Sequence, residues 1–322
     1  ESIFTKMNKI ILFLTVLFLS VLNAQNKKKI TFKETPAILK INTDQIFGTL
    51  TTPDLTKKYP VALIIAGSGP TDRNGNNAMM KNNSLKMLAE ALAKNGIASL
   101  RFDKRGIGES KAAGGESESS LVFENYIQDA KSWINFLRQD KRFSKVIVIG
   151  HSEGSLIGMI AGVKADKFVS IAGAGDSADK IIKAQIDATS MKQLNDMTFP
   201  IIDSLKNGFT VKKVDPMLVR LFRPSIQPYL ISWFKYNPQT EIKKLTIPVL
   251  ILQGNNDIQI TVKDAENLLE ANKSAELVII DKMNHVLKII DGDKDANLAS
   301  YNNETLPLSE ILVDKIVSFI QK

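Results

Sequence analysis

The stretch VIVIGHSEGSLIG, residues 146–158, decides the fold expected for this chain. It opens with four consecutive apolar residues, as is typical of a strand buried on both faces of a parallel sheet. A Gly-His-Ser-Glu-Gly segment follows, and a helical pattern then runs from Glu153 to Val163. The glycines on either side of Ser152 permit a sharp turn without Cβ clashes. The stretch therefore predicts a strand, a tight turn and a helix, with the Ser152 hydroxyl held clear of the backbone.

The same alternation of strands and helices continues on both sides of this stretch. Buried strands are predicted for PVALIIAG and IASLRFD before it, and for FVSIAGAG, IPVLILQGNND and AELVIID after it. Helices are predicted over 84–95, with Ser84 as the cap, over 262–271 and over 309–321. Short alternating runs over 28–51 predict an antiparallel edge. Such alternation predicts an α/β fold whose mostly parallel sheet is covered by helices on both faces.

The alternation stops in one place, which suggests an insertion. Residues 176–246 show helical periodicity and several prolines but no clear strand. We therefore predict a core formed by residues 25–175 and 247–322, with residues 176–246 as a helical cap or lid.

The N-terminal sequence predicts a secretory signal peptide over residues 1–24. Met7 is taken as its start, and residues 1–6 are an upstream extension. Lys6 and Lys9 precede an apolar run from Ile10 to Leu22, and cleavage is expected after Ala24. As a helix this run spans about 20 Å, whereas a bilayer core is about 30 Å thick. We expect a secreted or periplasmic protein without a stable membrane anchor after cleavage; an uncleaved anchor is the alternative.

The amino-acid composition excludes several classes of function. Of the 322 residues, 44% are hydrophobic and 24% charged, which is ordinary for a globular protein. The net charge is +8, but the lysines are dispersed and no aromatic residues interleave with them, so nucleic-acid binding is not expected. Without any cysteine, the chain has neither a disulfide nor a thiol metal site. No metal or organic cofactor is expected, and the oligomeric state stays open.

Ser152 lies in a G-x-S-x-G pattern, which is typical of an exposed nucleophile on a strand-to-helix turn. A serine hydroxyl needs a base within hydrogen-bond reach, and the chain has two histidines. The side chain of His151 should leave the turn in a different direction from that of Ser152. His285, in DKMNHVLK just after a predicted strand, is therefore the predicted base.

An imidazole base in turn needs a carboxylate to hold its tautomer. Asp257 ends the segment LILQGNND at the carboxyl end of a predicted buried strand, and the order Ser, Asp, His is the one expected for a nucleophile on such a turn. Asp264 and Asp281 are the alternatives to Asp257. Asp264 falls within a helical pattern, and Asp281 lies at a strand end facing the loop of His285.

Backbone N–H groups are the predicted donors to a developing oxyanion. One is the N–H of Glu153, the residue after the nucleophile, whose carboxylate is expected to be a first-turn helix acid rather than a catalyst. The second is predicted in the loop AGSGPTDRNGN, with Ser68 as the donor and Gly69 as the alternative; Gly67 and Gly69 are expected against the substrate.

Three further groups have two interpretations each. Tyr229 and Trp233, in IQPYLISWFKYNP, either roof an acyl pocket and contact substrate or form the core of the cap. Arg73 either orients a substrate carboxylate or pairs within its loop, and the second interpretation is favoured. Asp103 and Arg105 are expected to stabilise a turn beside the site.

The segments GSGPTDRNGN, RFDKRGIGES, GHSEGS, LQGNND and MNHVLK together resemble the serine-dependent α/β-hydrolase superfamily. More narrowly, they are similar to bacterial carboxylesterases grouped with serine aminopeptidase-like hydrolases. The resemblance covers about residues 30–320 and is weakest over 176–246. It implies Ser152, Asp257 and His285 as a triad beneath a helical cap. The superfamily often has His-Gly at the oxyanion loop, where this chain has Ala66-Gly67.

The expected function is that of a secreted serine esterase acting on a small-molecule ester. A peptidase or amidase of the same fold is the first alternative. The second is a binding protein that has kept the fold without catalysis, although a complete Ser, Asp and His set disfavours it.

Overall fold

A computed structural model describes residues 30–322 of the chain. The predicted signal peptide over residues 1–24 lies outside the described residues. In the described part, eight strands form one sheet: β1 Phe32–Ile41, β2 Asp44–Pro53, β3 Tyr59–Ile65, β4 Ala98–Phe102, β5 Phe143–His151, β6 Lys167–Ile171, β7 Val249–Gly254 and β8 Glu276–Ile280.

The sheet confirms the predicted α/β fold. Its strand order is β1-β2-β4-β3-β5-β6-β7-β8. The β1–β2 and β2–β4 pairs are antiparallel, and all the other pairs are parallel. The predicted antiparallel edge is thus the β1–β2 hairpin, and the carboxyl ends of the six parallel strands share one edge of the sheet.

The helices on the two sides are α1 Ser84–Lys94, α2 Phe123–Gln139, α3 Glu153–Ala161, α4 Ala178–Asp187, α5 Lys192–Lys206, α6 Val219–Phe222, α7 Gln227–Trp233, α8 Pro238–Lys243, α9 Val262–Ala271, α10 Lys294–Ser300 and α11 Glu310–Gln321. Between residues 30 and 322, no helix combines the length and the apolar character needed to cross a membrane.

The continuous apolar strands are explained by burial on both faces of the sheet. In β3, Val61, Leu63 and Ile65 belong to one core cluster, whereas Ala62 and Ile64 belong to the cluster on the opposite face. Because side chains alternate along a strand, a strand covered on both sides must be apolar at every position. The buried side chains of α2 and α3 contribute to the first cluster, and those of α1 and α11 to the second.

The predicted insertion contains helices α4 to α8, which lie between β6 and β7. Among its contacts with the core is that of Arg223, whose Nε donates to Oε2 of Glu118 at 2.8 Å. Ser225 donates to the same carboxylate at 2.5 Å. This segment is helical as expected; its boundaries as a domain and its role as a lid stay predictions.

Two helix ends differ from the sequence-based expectation. Ser84 is the first helical residue of α1 rather than its cap; the preceding Asn83 has φ 53° and makes no side-chain cap. Asn82, two positions before the predicted cap, accepts the hydrogen bond from the Ser84 N–H at 3.0 Å. Helix α3 ends at Ala161 rather than at Val163, and Gly162 follows as its C-cap.

Candidate active site

Ser152 occupies the turn between β5 and α3 in a backbone conformation that few non-glycine residues adopt. Its φ is 55° and its ψ is −122°. A strained position of this kind costs about 1–3 kcal/mol and persists only where the surrounding structure enforces it. Here the strand and the helix on either side enforce it, and the Ser152 side chain remains partly exposed.

The two flanking glycines are required by close backbone contacts. A Cβ on Gly150 would lie 2.2 Å from the carbonyl oxygen of Gly154. A Cβ on Gly154 would lie 2.2 Å from the carbonyl oxygen of Ile65, at the end of β3. Neither contact can be relieved by moving a side chain, because each involves backbone. The G-x-S-x-G spacing thus permits the tight turn and the close packing of α3 on the sheet.

Asp257 and His285 meet at the carboxyl edge of the sheet. Asp257 follows β7, His285 follows β8, and Nδ1 of His285 lies 2.8 Å from Oδ2 of Asp257. Only 1% of the Asp257 side chain and 7% of the His285 side chain are exposed. The other oxygen of Asp257 accepts backbone N–H bonds from Gln259 at 2.8 Å and Ile260 at 3.0 Å. These contacts fix the carboxylate against the imidazole.

The surroundings of Asp257 favour its ionised form. Burial alone would raise its pKa. The charge and the hydrogen bond of His285, together with the backbone N–H groups of Ile260 and Gln259, outweigh burial and hold the pKa below its ordinary value. An ionised carboxylate at this place holds the proton of the imidazole on Nδ1 and leaves Nε2 available as a base.

The two alternative carboxylates have other partners. Asp264 accepts hydrogen bonds from the N–H and the hydroxyl of Thr261 at the start of α9, and from the N–H of Gly175. Asp281 accepts a hydrogen bond from the side chain of Asn255 at 2.9 Å. Of the three candidates, Asp257 is the one that the fold places on His285.

His151 lies against the backbone of His285. Its Nε2 is 2.8 Å from the carbonyl oxygen of His285, and the two rings are 4.8 Å apart. Burial, together with repulsion from the His285 ring, lowers the pKa of His151 to about 3. A neutral imidazole that donates from Nε2 to a carbonyl supports the loop of His285. The expectation that His151 is not the base agrees with this arrangement.

The loop after β3 packs directly on the Ser152 turn. A Cβ on Gly67 would lie 3.1 Å from Cβ of Ser152 and 3.5 Å from Nδ1 of His151. A glycine at this position therefore lets the backbone of the loop lie close to the turn at Ser152. Among residues 30–322, no hydrogen bond joins the Ser152 hydroxyl to the His285 ring.

Two backbone N–H groups near Ser152 are available as donors. Throughout the described part of the chain, neither the Ser68 N–H nor the Glu153 N–H has a hydrogen-bond acceptor. Glu153 is the first residue of α3, where N–H groups have no partner within the helix. Ser68 and Gly69 are exposed, and Gly67 is buried beneath them. That the Ser68 and Glu153 N–H groups bind an oxyanion stays a prediction.

The Glu153 carboxylate departs from its expected role. It does lie in the first turn of α3, but its side chain is only 1% exposed and forms an ion pair with Lys104, whose Nζ is 2.7 Å from Oε2. The hydroxyl of Tyr229, from α7, donates to Oε1. The reason is tertiary: α3 starts under the end of β4 and under the cap, so the carboxylate meets two buried donors rather than solvent.

Lys104 is the residue near the site that sequence reasoning missed. It is 2% exposed, and its Nζ donates to the carbonyl oxygen of Gly67 at 2.7 Å and lies 5.0 Å from the Tyr126 ring. The sequence held one indication that Lys104 lies beside Gly67. Lys104 follows β4, and Gly67 follows β3, the parallel neighbour of β4. Parallel neighbours end at the same edge of a sheet, so the residues after them meet.

The aromatic cluster joins the cap to the core. Tyr229 is 8% exposed, and its ring lies 6.2 Å from that of Phe123 and 5.6 Å from that of Tyr126. Trp233 stacks on Phe123 at 6.0 Å. These contacts agree with the structural interpretation of both residues; that they also contact substrate stays a prediction.

The charged residues of the neighbouring loops have structural partners. Arg73 donates to Asp103 at 2.6 Å and pairs with Glu109, and Asp103 also accepts the Arg73 N–H at 2.8 Å. Arg105 binds both oxygens of Asp129, at 2.7 and 2.9 Å. Within residues 30–322, no group of three or more histidine, aspartate or glutamate side chains is arranged to hold a metal ion.

Comparisons with known proteins place this geometry in a family. Residues 80–289 match the sequence profile of the family described as serine aminopeptidase, S33. Esterase EstD of Thermotoga maritima is 26% identical over 283 residues, which cover 85% of this chain and 65% of EstD. The chain thus spans slightly less than two thirds of the length of this relative.

Solved structures share the fold at low identity. Est1E from Butyrivibrio proteoclasticus with bound ferulic acid is 17% identical, with a TM-score of 0.59 over 89% of this chain and all of that one. The Pyrococcus furiosus esterase PF2001 is 18% identical, with a TM-score of 0.58 over 91% of each chain. Because the profile matches well over half of the residues, the chain belongs to the serine aminopeptidase S33 family and has the α/β-hydrolase fold.

Proposed function

We propose that this protein is a serine carboxylesterase that hydrolyses small-molecule esters through an acyl-enzyme on Ser152. The proposal rests on two features at the carboxyl edge of the sheet: Ser152 on its strained turn after β5, and the hydrogen-bonded Asp257–His285 pair after β7 and β8. The names of EstD and of the two structural relatives, all esterases, support the choice of esters.

In the acylation step, Oγ of Ser152 bonds to the carbonyl carbon of the ester, and Nε2 of His285 takes the hydroxyl proton. The carbonyl oxygen becomes an oxyanion, which accepts hydrogen bonds from the N–H groups of Ser68 and Glu153. The bond from carbon to the alkoxy oxygen then breaks, and His285 gives its proton to the departing alcohol. Asp257 stabilises the imidazolium that exists between these two transfers.

Deacylation repeats the sequence with water. His285 takes a proton from the water as its oxygen bonds to the acyl carbon. The bond to Oγ of Ser152 breaks, and Oγ regains the proton from His285. The products are a carboxylic acid and the free enzyme, and no redox partner is needed.

The test is the replacement Ser152→Ala, assayed on p-nitrophenyl acetate and butyrate. Loss of the nucleophile should lower kcat by at least 10³-fold. Ser144→Ala, an exposed position on the same strand, is the matched control and should keep wild-type activity. A fluorophosphonate probe should label the wild type and Ser144→Ala but not Ser152→Ala. Undiminished turnover by Ser152→Ala would overturn the proposal, and an unlabelled wild type would favour a binding protein.

A peptidase or amidase is the second candidate, favoured by the description of the matching family as serine aminopeptidase. Such an enzyme would use the same residues, but His285 would protonate an amine. Turnover of aminoacyl-naphthylamides without turnover of esters would favour it.

The N-terminal sequence supports a further proposal, that the enzyme acts in the periplasm or the medium. Expression of the full chain in a Gram-negative host, followed by mass spectrometry of the exported protein, should find a mature chain that begins at Gln25. A protein that stays in the cytoplasm with residues 7–24 attached would contradict it.

A further inference from the structure

We propose that Lys104 is a positioning residue that orients the oxyanion hole by holding the peptide unit between Gly67 and Ser68. The inference rests on the proposed function, since it assigns a role to a residue beside the same site. It concerns a lysine that touches neither the nucleophile nor the base.

The first step is the geometry of one peptide unit. Nζ of Lys104 donates to the carbonyl oxygen of Gly67 at 2.7 Å. In a planar trans peptide the C=O of one residue and the N–H of the next point in opposite directions. Because Lys104 binds the carbonyl oxygen of Gly67, the N–H of Ser68 points away from Lys104. Both groups belong to the loop that packs against Ser152. Rotation of this unit would break a charge-assisted hydrogen bond and replace the N–H by a carbonyl oxygen.

The second step is the anchor of Lys104. Its Nζ also binds Oε2 of Glu153 at 2.7 Å, and the backbone N–H of Glu153 is the other proposed oxyanion donor. One ammonium group thus joins the loop that carries the first donor to the residue that carries the second. Tyr229 occupies Oε1 of the same carboxylate. With both of its oxygens bonded, the carboxylate is held toward Lys104.

The third step is energetic. The side chains of Lys104 and Glu153 are 2% and 1% exposed. Removing two charges from water is costly, and apolar residues of similar volume often serve stability equally well. A buried pair that holds the two donor segments of a catalytic site has a use that an apolar pair would lack, namely to direct N–H groups at a developing charge.

The experiment compares Lys104→Met, Glu153→Gln and the double variant Lys104→Met/Glu153→Gln, which leaves no unpaired buried charge. Lys167→Met is the matched control. Like Lys104, Lys167 is buried, donates to a backbone carbonyl oxygen (that of Phe319) and lies 5.0 Å from an aromatic ring. Unlike Lys104, it is the first residue of β6, at the opposite edge of the sheet. Circular dichroism and thermal unfolding establish that each variant is folded.

We expect both variants that lack Lys104 to lose about 10²-fold in kcat, as when one oxyanion donor is removed, with KM changed less than threefold. Affinity for a trifluoromethyl ketone, which forms an oxyanion on Ser152, should fall in parallel. Glu153→Gln should lose less, because Lys104 can still hold Gly67. Lys167→Met should keep its kcat.

A second readout does not depend on activity. In a crystal structure of the double variant, the peptide between Gly67 and Ser68 should be rotated from its orientation in the wild type. A folded double variant with wild-type kcat and an unrotated peptide would overturn the proposal. If instead the wild type turns over no ester and Ser152→Ala changes nothing, the proposed function fails, and the peptide orientation alone then decides the role of Lys104.

Discussion

The two histidines of this chain contact each other, with Nε2 of His151 2.8 Å from the carbonyl oxygen of His285. The adjacent histidine thus supports the distant one through its backbone, while the His285 ring turns to Asp257. Burial and the neighbouring His285 ring lower the pKa of His151 to about 3, so His151 is neutral in the folded protein near neutral pH.

The burial of His151 predicts a loss of stability in acid. Below about pH 6.5 the unfolded chain protonates His151 whereas the folded protein does not, so folding stability falls as pH falls toward 3. The slope is about 1.4 kcal/mol per pH unit, or about 2 kcal/mol between pH 6.5 and pH 5. His151→Gln keeps an N–H donor without titrating. Urea unfolding at pH 7 and pH 5 should show a loss about 2 kcal/mol smaller in this variant, and equal losses would contradict the prediction.

The carboxylate that holds His285 should be needed for turnover but not for the fold. Asp257→Asn keeps the size of the side chain but removes the charge that stabilises the imidazolium and fixes its tautomer, and kcat should fall about 10³–10⁴-fold. The control is Asp281→Asn, whose carboxylate binds Asn255 instead, and its kcat should stay within about twofold. Steady-state kinetics on p-nitrophenyl butyrate measure both. Equal losses in the two variants would reject Asp257 as the orienting acid.

The elbow glycine Gly154 should tolerate no side chain. Gly154→Ala would place a Cβ 2.2 Å from the carbonyl oxygen of Ile65, and the backbone of β3 cannot move without disrupting the sheet. We expect a loss of about 3 kcal/mol in the free energy of unfolding.

The comparison is Gly158→Ala on the same helix. Its new Cβ would meet the side chains of Phe168 at 2.8 Å and Val148 at 3.0 Å, which can shift, so a loss of about 1 kcal/mol is expected. Urea denaturation measures both variants. A Gly154→Ala protein as stable as Gly158→Ala would mean that β3 and α3 can separate more easily than their contact implies.

The hydroxyl of Tyr229 is one of the links between cap and core, and its removal should be measurable. Tyr229→Phe keeps the ring packing but leaves Oε1 of Glu153 buried without that partner, which should cost about 1–3 kcal/mol of stability. Tyr236→Phe removes a hydroxyl that donates to Glu124 at 3.1 Å in a less buried place, and should cost under about 1 kcal/mol. Thermal unfolding of the two variants checks the difference, and the reverse order would refute it.

Local patterns identified those features that depend on neighbouring residues. The apolar run of β3 predicts a strand buried on both faces, and the bounds of α9, Val262–Ala271, agree with the helical periodicity of that segment. Gly150 marks the turn at Ser152 because its close contact is with Gly154, four residues later, whereas Gly154 itself is confined by the backbone of Ile65 at the end of β3. The partnership of Asp257 with His285 was accessible because residues after neighbouring parallel strands meet at one edge.

Interactions between residues that are distant along the chain were harder to predict from the sequence. Ser84 fits the pattern of a helix cap, but the Ser84 N–H bonds to the side chain of Asn82 and the Leu85 N–H to the carbonyl oxygen of Asn74. Glu153 fits a first-turn acid, yet its partners Lys104 and Tyr229 are 49 and 76 residues away along the chain. Such a pair produces no periodic pattern in the sequence, because the partner of a buried charge is the donor that the fold brings next to it.

By itself, the sequence determined the α/β order of elements and the tight turn at Ser152, since both follow from short-range sterics and strand alternation. The triad of Ser152, Asp257 and His285 was predicted from the residue order expected for an α/β-hydrolase. Only the tertiary structure decided how the site is supported: His151 on the backbone of His285, and Lys104 between Gly67 and Glu153. The physical reason is that a hydrogen bond between buried groups depends on their distance in space, which is set when the sheet and the helices pack together.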